Sequence, residues 1–252
     1  MARTAVRGRL TWQLADVVEV VDETPTVRSL VLDLPDWLGH LPGQHLDVRL
    51  TADDGYQAER SYSIATPAQG DRLTITVERI EDGEVSPYLV DELRPGDRLE
   101  LRGPIGGYFV WEPSRGGPLL LVAAGSGVVP LMAMIRARVV AGSWVSVRCL
   151  LSSRSWDDVI YRAVLERVAG GHMGIDIVHA LTRSQPPNWV GYRRRVDREM
   201  LTEVAWAPAD RPLCYVCGPT GFVETVASAL VGLGHDPSLI LTERFGPTGG
   251  RS

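Results

Sequence analysis

Leu119-Leu120-Leu121-Val122-Ala123-Ala124-Gly125-Ser126-Gly127 decides how the second half of this 252-residue chain folds. A run from Leu119 to Ala124 with no alternation of apolar and polar positions reads as a strand covered on both faces. Gly125-Ser126-Gly127 ends it in a tight turn, and Pro130 to about Val140 continues as helix. The same unit then repeats. Strands are expected at Val145 to Leu151, Ile175 to Leu181, Leu213 to Cys217 and Leu239 to Thr242, with helices near Asp158 to Val168, Arg198 to Ala205 and Thr220 to Leu233. Unalternating strands separated by helices predict a parallel sheet covered on both faces.

Upstream of Gly116-Gly117 the period changes. From Thr11 to about Val110, short segments alternate apolar and polar residues: Val27 to Leu34, His45 to Leu50, Arg72 to Ile80 and Arg98 to Leu101. Pro42-Gly43, Asp54-Gly55, Gly70-Asp71 and Pro95-Gly96 separate them, which predicts an antiparallel barrel or sandwich. One short helix is expected inside it, Ser86 to Leu93, with Ser86 as N-cap and Pro87 in the first turn. The chain therefore divides near Ser114 to Pro118, into an antiparallel domain over 1–115 and an α/β parallel-sheet domain over 116–252. No internal repeat or low-complexity segment interrupts either.

Bulk composition is that of a globular protein, with 44% hydrophobic and 23% charged residues. A net charge of -5 argues against nonspecific nucleic-acid binding, which needs a basic face. All 26 basic residues are arginine. Arg193-Arg194-Arg195 with Arg198 forms a local basic cluster, read either as a solvated loop or as a surface that steers an acidic partner. Three cysteines, Cys149, Cys214 and Cys217, are too few for a four-thiolate iron–sulfur cluster. Met1 to Val20 has no continuous apolar stretch after its arginines, so neither a secretory signal nor a membrane span is expected, and the cytoplasm is the default.

Several short motifs carry chemistry. Gly125-Ser126-Gly127 sits where a strand hands over to a helix, where small residues let backbone amides approach a pyrophosphate. The spacing departs from the G-x-G-x-x-G fingerprint because Pro130 takes the third glycine's place, so a plain strand-to-helix turn stays open. A site for NAD wants an acidic residue at the end of the second strand. Here that end reads Leu151-Ser152-Ser153-Arg154, two hydroxyls and a guanidinium that suit a 2'-phosphate, so NADPH is favoured over NADH, with Arg183 and Arg162 as further cations. Cys217-Gly218-Pro219 lies at the carboxyl end of a parallel strand, where a thiol can face a nicotinamide. In the first half, Arg60-Ser61-Tyr62-Ser63 offers a positive fork for a phosphate, a flat ring and a small hydroxyl. His40, His45, His172, His179 and His235 show no metal-ligand spacing, so no metal is expected and structural or exposed roles are assigned to all five.

Taken in order, the motifs Pro42-Gly43-Gln44, Arg60-Ser61-Tyr62-Ser63, Gly83-Glu84-Val85-Ser86, Gly103-Pro104-Ile105-Gly106-Gly107-Tyr108-Phe109, Gly125-Ser126-Gly127 with Pro130, Cys217-Gly218-Pro219 and Glu243-Arg244-Phe245 resemble the ferredoxin–NADP reductase superfamily. The likeness is to its bacterial stand-alone and oxygenase-reductase branch and covers nearly the whole chain. It implies a flavin-binding barrel followed by a pyridine-nucleotide domain. By that resemblance Arg60 pairs with a flavin phosphate, Tyr62 packs on the isoalloxazine and Ser63 hydrogen-bonds near its N5, with Ser61 among the cofactor-binding residues. Gly83, Val85 and Ser86 hold the pyrophosphate, which favours FAD over FMN. Val77, Glu78 and Arg79 run alongside as backbone contacts. Cys217 and Glu243 flank the nicotinamide and the flavin edge, and Phe245 covers the other face. In plant-type members the aromatic closes the chain, whereas Gly246 to Ser252 follow here.

The implied activity is electron transfer from NADPH, or NADH, through FAD to a one-electron protein acceptor: a ferredoxin, a flavodoxin, a cytochrome P450 or an oxygenase component. A flavin or quinone reductase with a diffusible acceptor, and a flavin-binding relay subunit of a larger complex, are the alternatives. A monomer is implied.

Overall fold

The computed structural model describes residues 10–171 and 174–245, so the expectations for Met1 to Arg9, His172 and Gly246 to Ser252 fall outside the described residues. In the first half, β1 (Gln13–Thr24), β2 (Val27–Asp33), β3 (His45–Thr51), β4 (Gln57–Ser63), β5 (Arg72–Glu78) and β6 (Arg98–Ile105) form one antiparallel sheet. Its order is β4-β3-β6-β1-β2-β5. Beyond the end of β4 the chain reaches β5, with Ile64 bridging Ile75 and the Ala65 N–H donating to the Thr74 carbonyl at 2.7 Å. That contact joins the two edge strands and closes the sheet into a barrel. Leu30, Leu32, Leu46, Val48, Leu73, Ile75, Leu99 and Leu101 fill it, which is why the sequence alternates with period two.

Two details differ from the sequence expectation. The longest strand, β1, is not among the segments the sequence picks out, because only Ala15 and Val17 along it are buried while Leu14, Val18 and Val21 face outward, which blurs the alternation. The short helix runs from Ser86 to Glu92, close to the expected span, but from Tyr88 onward it is a π turn, closed by the Leu93 N–H bonding the Tyr88 carbonyl at 3.0 Å. Ser86 does not cap it. It is buried, and its hydroxyl folds back to accept the Ile80 N–H at 3.0 Å, bracing the preceding turn instead.

The second half runs β7 (Leu119–Ala124), α1 (Val128–Val140), β8 (Val147–Ser153), α2 (Arg162–Gly171), β9 (Ile175–Leu181), α3 (Arg198–Val204), β10 (Leu213–Pro219), α4 (Thr220–Gly232) and β11 (Ile240–Phe245). The sheet is parallel, in the order β11-β10-β7-β8-β9. Leu119, Leu121 and Ala123 of β7 face the core shared with α1 and α2, while Leu120 and Val122 face α3 and α4. Burial on both faces accounts for the unbroken apolar run.

Helix α1 is apolar nearly all round, as a helix must be when it is covered on every side. The barrel supplies its outer cover: Val27, Ala65, Phe109 and Trp111 belong to the same buried core as Met132, Met134 and Ile135. The seam is pinned by polar contacts as well. Tyr215 donates to the Val110 carbonyl at 2.8 Å, Trp111 donates its indole N–H to the Gly116 carbonyl at 2.9 Å, and Phe109 meets Tyr215 edge to face at 5.3 Å.

Gly43 lies at φ +100°, and a side-chain carbon there would come within 1.9 Å of the Phe109 carbonyl oxygen and 2.9 Å of the Met134 methyl. Replacing it with alanine adds both left-handed strain and a backbone clash, so Gly43→Ala is expected to lower unfolding stability by about 3 kcal/mol or more, read from the urea midpoint. A change under about 0.5 kcal/mol would mean the loop relaxes freely.

Candidate active site

The pleat of β4 places Arg60 and Tyr62 on one face and Ser61 and Ser63 on the other. Arg60 is exposed, and two of its arms are held: one donates to the Glu59 carbonyl at 2.7 Å, the other to Glu84 Oε2 at 2.6 Å. Tyr56 donates to the second Glu84 oxygen at 2.5 Å. A guanidinium has five donors in a fixed plane, so this arrangement orients the fork and leaves donors over. Tyr62 is half-buried, and burial pushes its hydroxyl pKa well up, so the ring is a neutral flat surface. Ser61 donates to Asp47 at 2.7 Å, and Ser63 is buried.

Val77 is buried at the end of β5, followed by Glu78 and Arg79. The Arg79 side chain pairs with Asp91 at 2.7 Å, and its backbone N–H donates to the Thr26 carbonyl at 2.8 Å. At Gly83 a side-chain carbon would come within 2.9 Å of Ser86 Oγ, so the turn into the π segment stays bare. Val85 and Ser86 are buried beneath it, and the first amides of a helical turn lack carbonyl partners within it. A cation fork, a half-buried aromatic face and a bare turn with amides are the donor set that a flavin dinucleotide takes up.

The second part of the site lies at the carboxyl ends of β7, β8, β10 and β11. Gly127 has no room for a side chain, because its first carbon would stand 2.2 Å from the Cys217 carbonyl oxygen. Gly125 adopts φ +54°. Ala123, Gly125, Val128, Leu151, Ser152, Ser153, Val159 and Ile160 line a small pocket beside this turn. Beyond Ser153, Arg154 is exposed, as is Arg183, on loops joined by the Arg183 N–H donating to the Arg154 carbonyl at 2.8 Å. Ser126 lies within the turn, and Gly218 and Pro219 close the opposite side at the end of β10. Arg162 points elsewhere: it pairs with Asp157 at 3.4 Å on an exposed edge. The basic cluster is also tied down in part, since Arg194 pairs with Asp197 at 2.9 Å and Glu199 at 3.2 Å.

The two halves meet at a line of polar groups. Cys217 lies directly opposite Glu243 in the β10–β11 register, with Sγ 3.9 Å from Glu243 Oε2. The other carboxylate oxygen is 3.9 Å from His45 Nδ1, and His45 lies opposite Ser63 across β3 and β4. Burial raises the Glu243 pKa to about 7. Cys217 is held well above the usual thiol value, by burial first and then by the Glu243 charge. Burial lowers His45, against the pull of Asp47. Near neutrality the group can thus hold or release one proton at the Glu243 carboxyl, beside a neutral imidazole. The sequence gives His45 a structural or exposed role and no sign of its nearness to Glu243. Its place depends on the pairing of β3 with β4 and on the closeness of β11, neither of which is local in sequence. His40 does have a structural role, bonded to the Thr66 carbonyl at 2.7 Å and receiving the Trp37 indole N–H at 3.0 Å. Phe245 packs partly buried against the core, opposite Pro219 in the strand register.

Comparison with known proteins matches residues 14–110 to the oxidoreductase FAD-binding domain and 121–228 to the oxidoreductase NAD-binding domain. The ferredoxin–NADP reductase B of Sorangium cellulosum is 35% identical over 239 residues, covering 92% of this chain and 96% of that protein. The chain belongs to the ferredoxin–NADP reductase superfamily. The glycine betaine monooxygenase reductase subunit of Pseudomonas aeruginosa is 32% identical over 98% of this chain and 67% of its own length. Among solved structures, the flavohem-like FAD/NAD-binding domain of nitric oxide dioxygenase from Vibrio cholerae superposes with a TM-score of 0.82 at 27% identity, covering 93% of this chain and 98% of that one. The chain is accordingly a flavin-dependent NAD(P)H oxidoreductase that uses FAD and a nicotinamide nucleotide. Among the described residues no helix is long and apolar enough to cross a membrane.

The raised Glu243 pKa sets a sign. Its carboxyl stays protonated in the folded chain up to about pH 7 but ionises near 4.5 when unfolded, so its contribution is whole below about 4.5 and is lost as pH rises through 7. Relative to Glu243→Gln, the wild type is expected to lose about 2 kcal/mol of stability between pH 5 and pH 8, measured by denaturant unfolding at each pH. A pH-independent difference would mean that Glu243 titrates normally.

Proposed function

We propose that this chain carries electrons from NADPH, through FAD in the barrel, to a one-electron protein acceptor such as a ferredoxin, a flavodoxin, a cytochrome P450 or an oxygenase component. The observation that carries the reading is the approach of His45, the cross-strand partner of Ser63 in the barrel, to Glu243, the partner of Cys217 in the parallel sheet. FAD bound at that seam supplies the conversion of a nicotinamide hydride into single-electron steps. The chain supplies alignment and proton handling around it.

In this reading residues 1–115 hold FAD and residues 116–252 hold the nucleotide, a division supported by the gap between the two family matches. Arg60, pre-oriented by Glu84, grips one phosphate, and the turn of Gly83, Val85 and Ser86 takes the other. Tyr62 and Phe245 bracket the flavin ring, with Ser61 at its edge and Val77, Glu78 and Arg79 alongside through their backbones. Gly125, Ser126, Gly127, Gly218 and Pro219 form the cradle for the nucleotide pyrophosphate. Ser63, Cys217 and Glu243 act on the reacting atoms, with the Glu243 carboxyl as the proton store. Ser153 and Arg154 hold the 2'-phosphate and favour NADPH, while Arg162, tied to Asp157, is the least engaged of the set. A monomer in the cytoplasm completes the reading. The protein acceptor is supported by relatives such as the glycine betaine monooxygenase reductase subunit.

Anaerobic mixing of the purified yellow protein with each nucleotide tests this. NADPH is expected to bleach the visible flavin band faster than NADH, and equal rates would remove the NADPH assignment. Arg154→Ala should narrow that preference by about tenfold, the worth of one charge-assisted contact. Arg60→Ala is expected to weaken FAD binding at least about tenfold in a fluorescence titration, and full flavin occupancy after purification would remove the phosphate role of Arg60. Turnover as fast with free flavin or quinone as with any ferredoxin would favour a diffusible acceptor instead.

A further inference from the structure

Tyr161 stands just before α2 at φ 61°, a left-handed conformation that costs a non-glycine residue energy and persists only where the surroundings enforce it. Its side chain is 1% exposed. The two residues before it, Val159 and Ile160, line the pocket beside the Gly125 turn. The Tyr161 ring leaves that loop and crosses the seam, donating its hydroxyl to Thr76 Oγ1 on β5. Thr76 and Ser29 share a hydrogen bond at 2.8 Å, and Ser29 donates to Glu23 Oε1 at 2.6 Å. Since Tyr161 and Ser29 both donate, Thr76 donates to Ser29, and the chain of hydroxyls runs in one direction to a carboxylate. Arg136 of α1 lies over the ring at 4.8 Å and donates to the Ala65 carbonyl at 2.7 Å, on the segment that closes the barrel.

The tether is therefore specific. It begins in the wall of the nucleotide pocket and ends on Thr76, the residue before Val77 on the strand assigned above to the flavin. On the same side, Glu78 Oε2 would lie 3.8 Å from a side-chain carbon on Gly125. Hydride transfer requires the donor carbon and acceptor nitrogen at about 3–3.5 Å, and an error of about 1 Å is worth up to a hundredfold in rate.

We propose that Tyr161 is a positioning residue that fixes the nucleotide pocket against the flavin-bearing strand, so that a bound nicotinamide arrives in register for transfer. The proposal rests on the assignment of FAD to the barrel and of NAD(P)H to the pocket. Tyr161→Phe keeps the ring, its volume and the Arg136 contact and removes only the hydroxyl. Thr76→Val removes the partner from the other side, and Thr76→Ser keeps a hydroxyl there.

The FAD-loaded proteins are compared by three readouts: nucleotide Kd from titration with oxidised NADP, the limiting rate of flavin reduction at saturating NADPH, and the long-wavelength charge-transfer absorbance of the nucleotide–flavin pair. The limiting rate is expected to fall about tenfold in Tyr161→Phe and Thr76→Val, with the charge-transfer band diminished and Kd within about twofold of wild type. The double variant should be no slower than either single one, and Thr76→Ser should restore the rate. A lowered Tm with unchanged limiting rate and charge-transfer band would overturn the proposal, leaving Tyr161 as packing alone. If Tyr161→Phe does not fold, the Thr76 pair decides in the same way. A wild-type protein that binds FAD but is bleached by neither nucleotide would instead overturn the functional assignment on which the proposal stands.

Discussion

The arrangement depends on one close backbone approach, Gly127 against the carbonyl of Cys217, with no space for a side-chain carbon between them. It draws the turn after the central strand β7 onto the end of its neighbour β10. The N-terminus of α1 then stands at the same edge of the sheet as Cys217, whose thiol lies enclosed beneath it. Because β11 pairs in register beyond β10, Glu243 is delivered to that edge too. The barrel is brought to it by apolar packing, with Phe109 and Trp111 sunk into the core under α1. A crevice built at the carboxyl ends of parallel strands is where open sheets collect ligands. Here an entire second domain is pressed against that edge.

Much of this was legible in the sequence, for reasons that can be named. The parallel sheet announced itself because Leu120 and Leu121 are buried on opposite faces, which no half-exposed strand could tolerate. The barrel strands β2, β3 and β5 showed period two because one face of each fills the interior. What could not be read were arrangements without a local cause. Strand β1 is mostly solvated, the π turn after Ser86 follows from how Val85, Leu89 and Leu93 all pack inward, and the alliance of His45 with Glu243 joins residues from separate domains. Arg60 was legible as a fork, but not the Glu84 carboxylate and Tyr56 hydroxyl that aim it. Motifs report what a position must be; they say little about which distant partner fixes its geometry.

The electrostatics of the seam follow from burial more than from paired charge. Glu243, Cys217 and His45 are each shifted toward the neutral form by desolvation, so the one group of the three that changes charge near neutrality is the Glu243 carboxyl. Partial burial of these groups strengthens any dipole aimed at them. Arg60, Arg154 and Arg183, by contrast, are exposed.

The burial of the sulfurs has a consequence for durability. Cys149, Cys214 and Cys217 are all fully enclosed, and burial raises the pKa of each. Peroxides attack the thiolate, and sulfenic acid formation is the first rung of the damage that follows. A protein that handles reducing equivalents in air meets such oxidants at close range. By keeping all three thiols enclosed and protonated, the fold makes its cysteines poor targets for such oxidants.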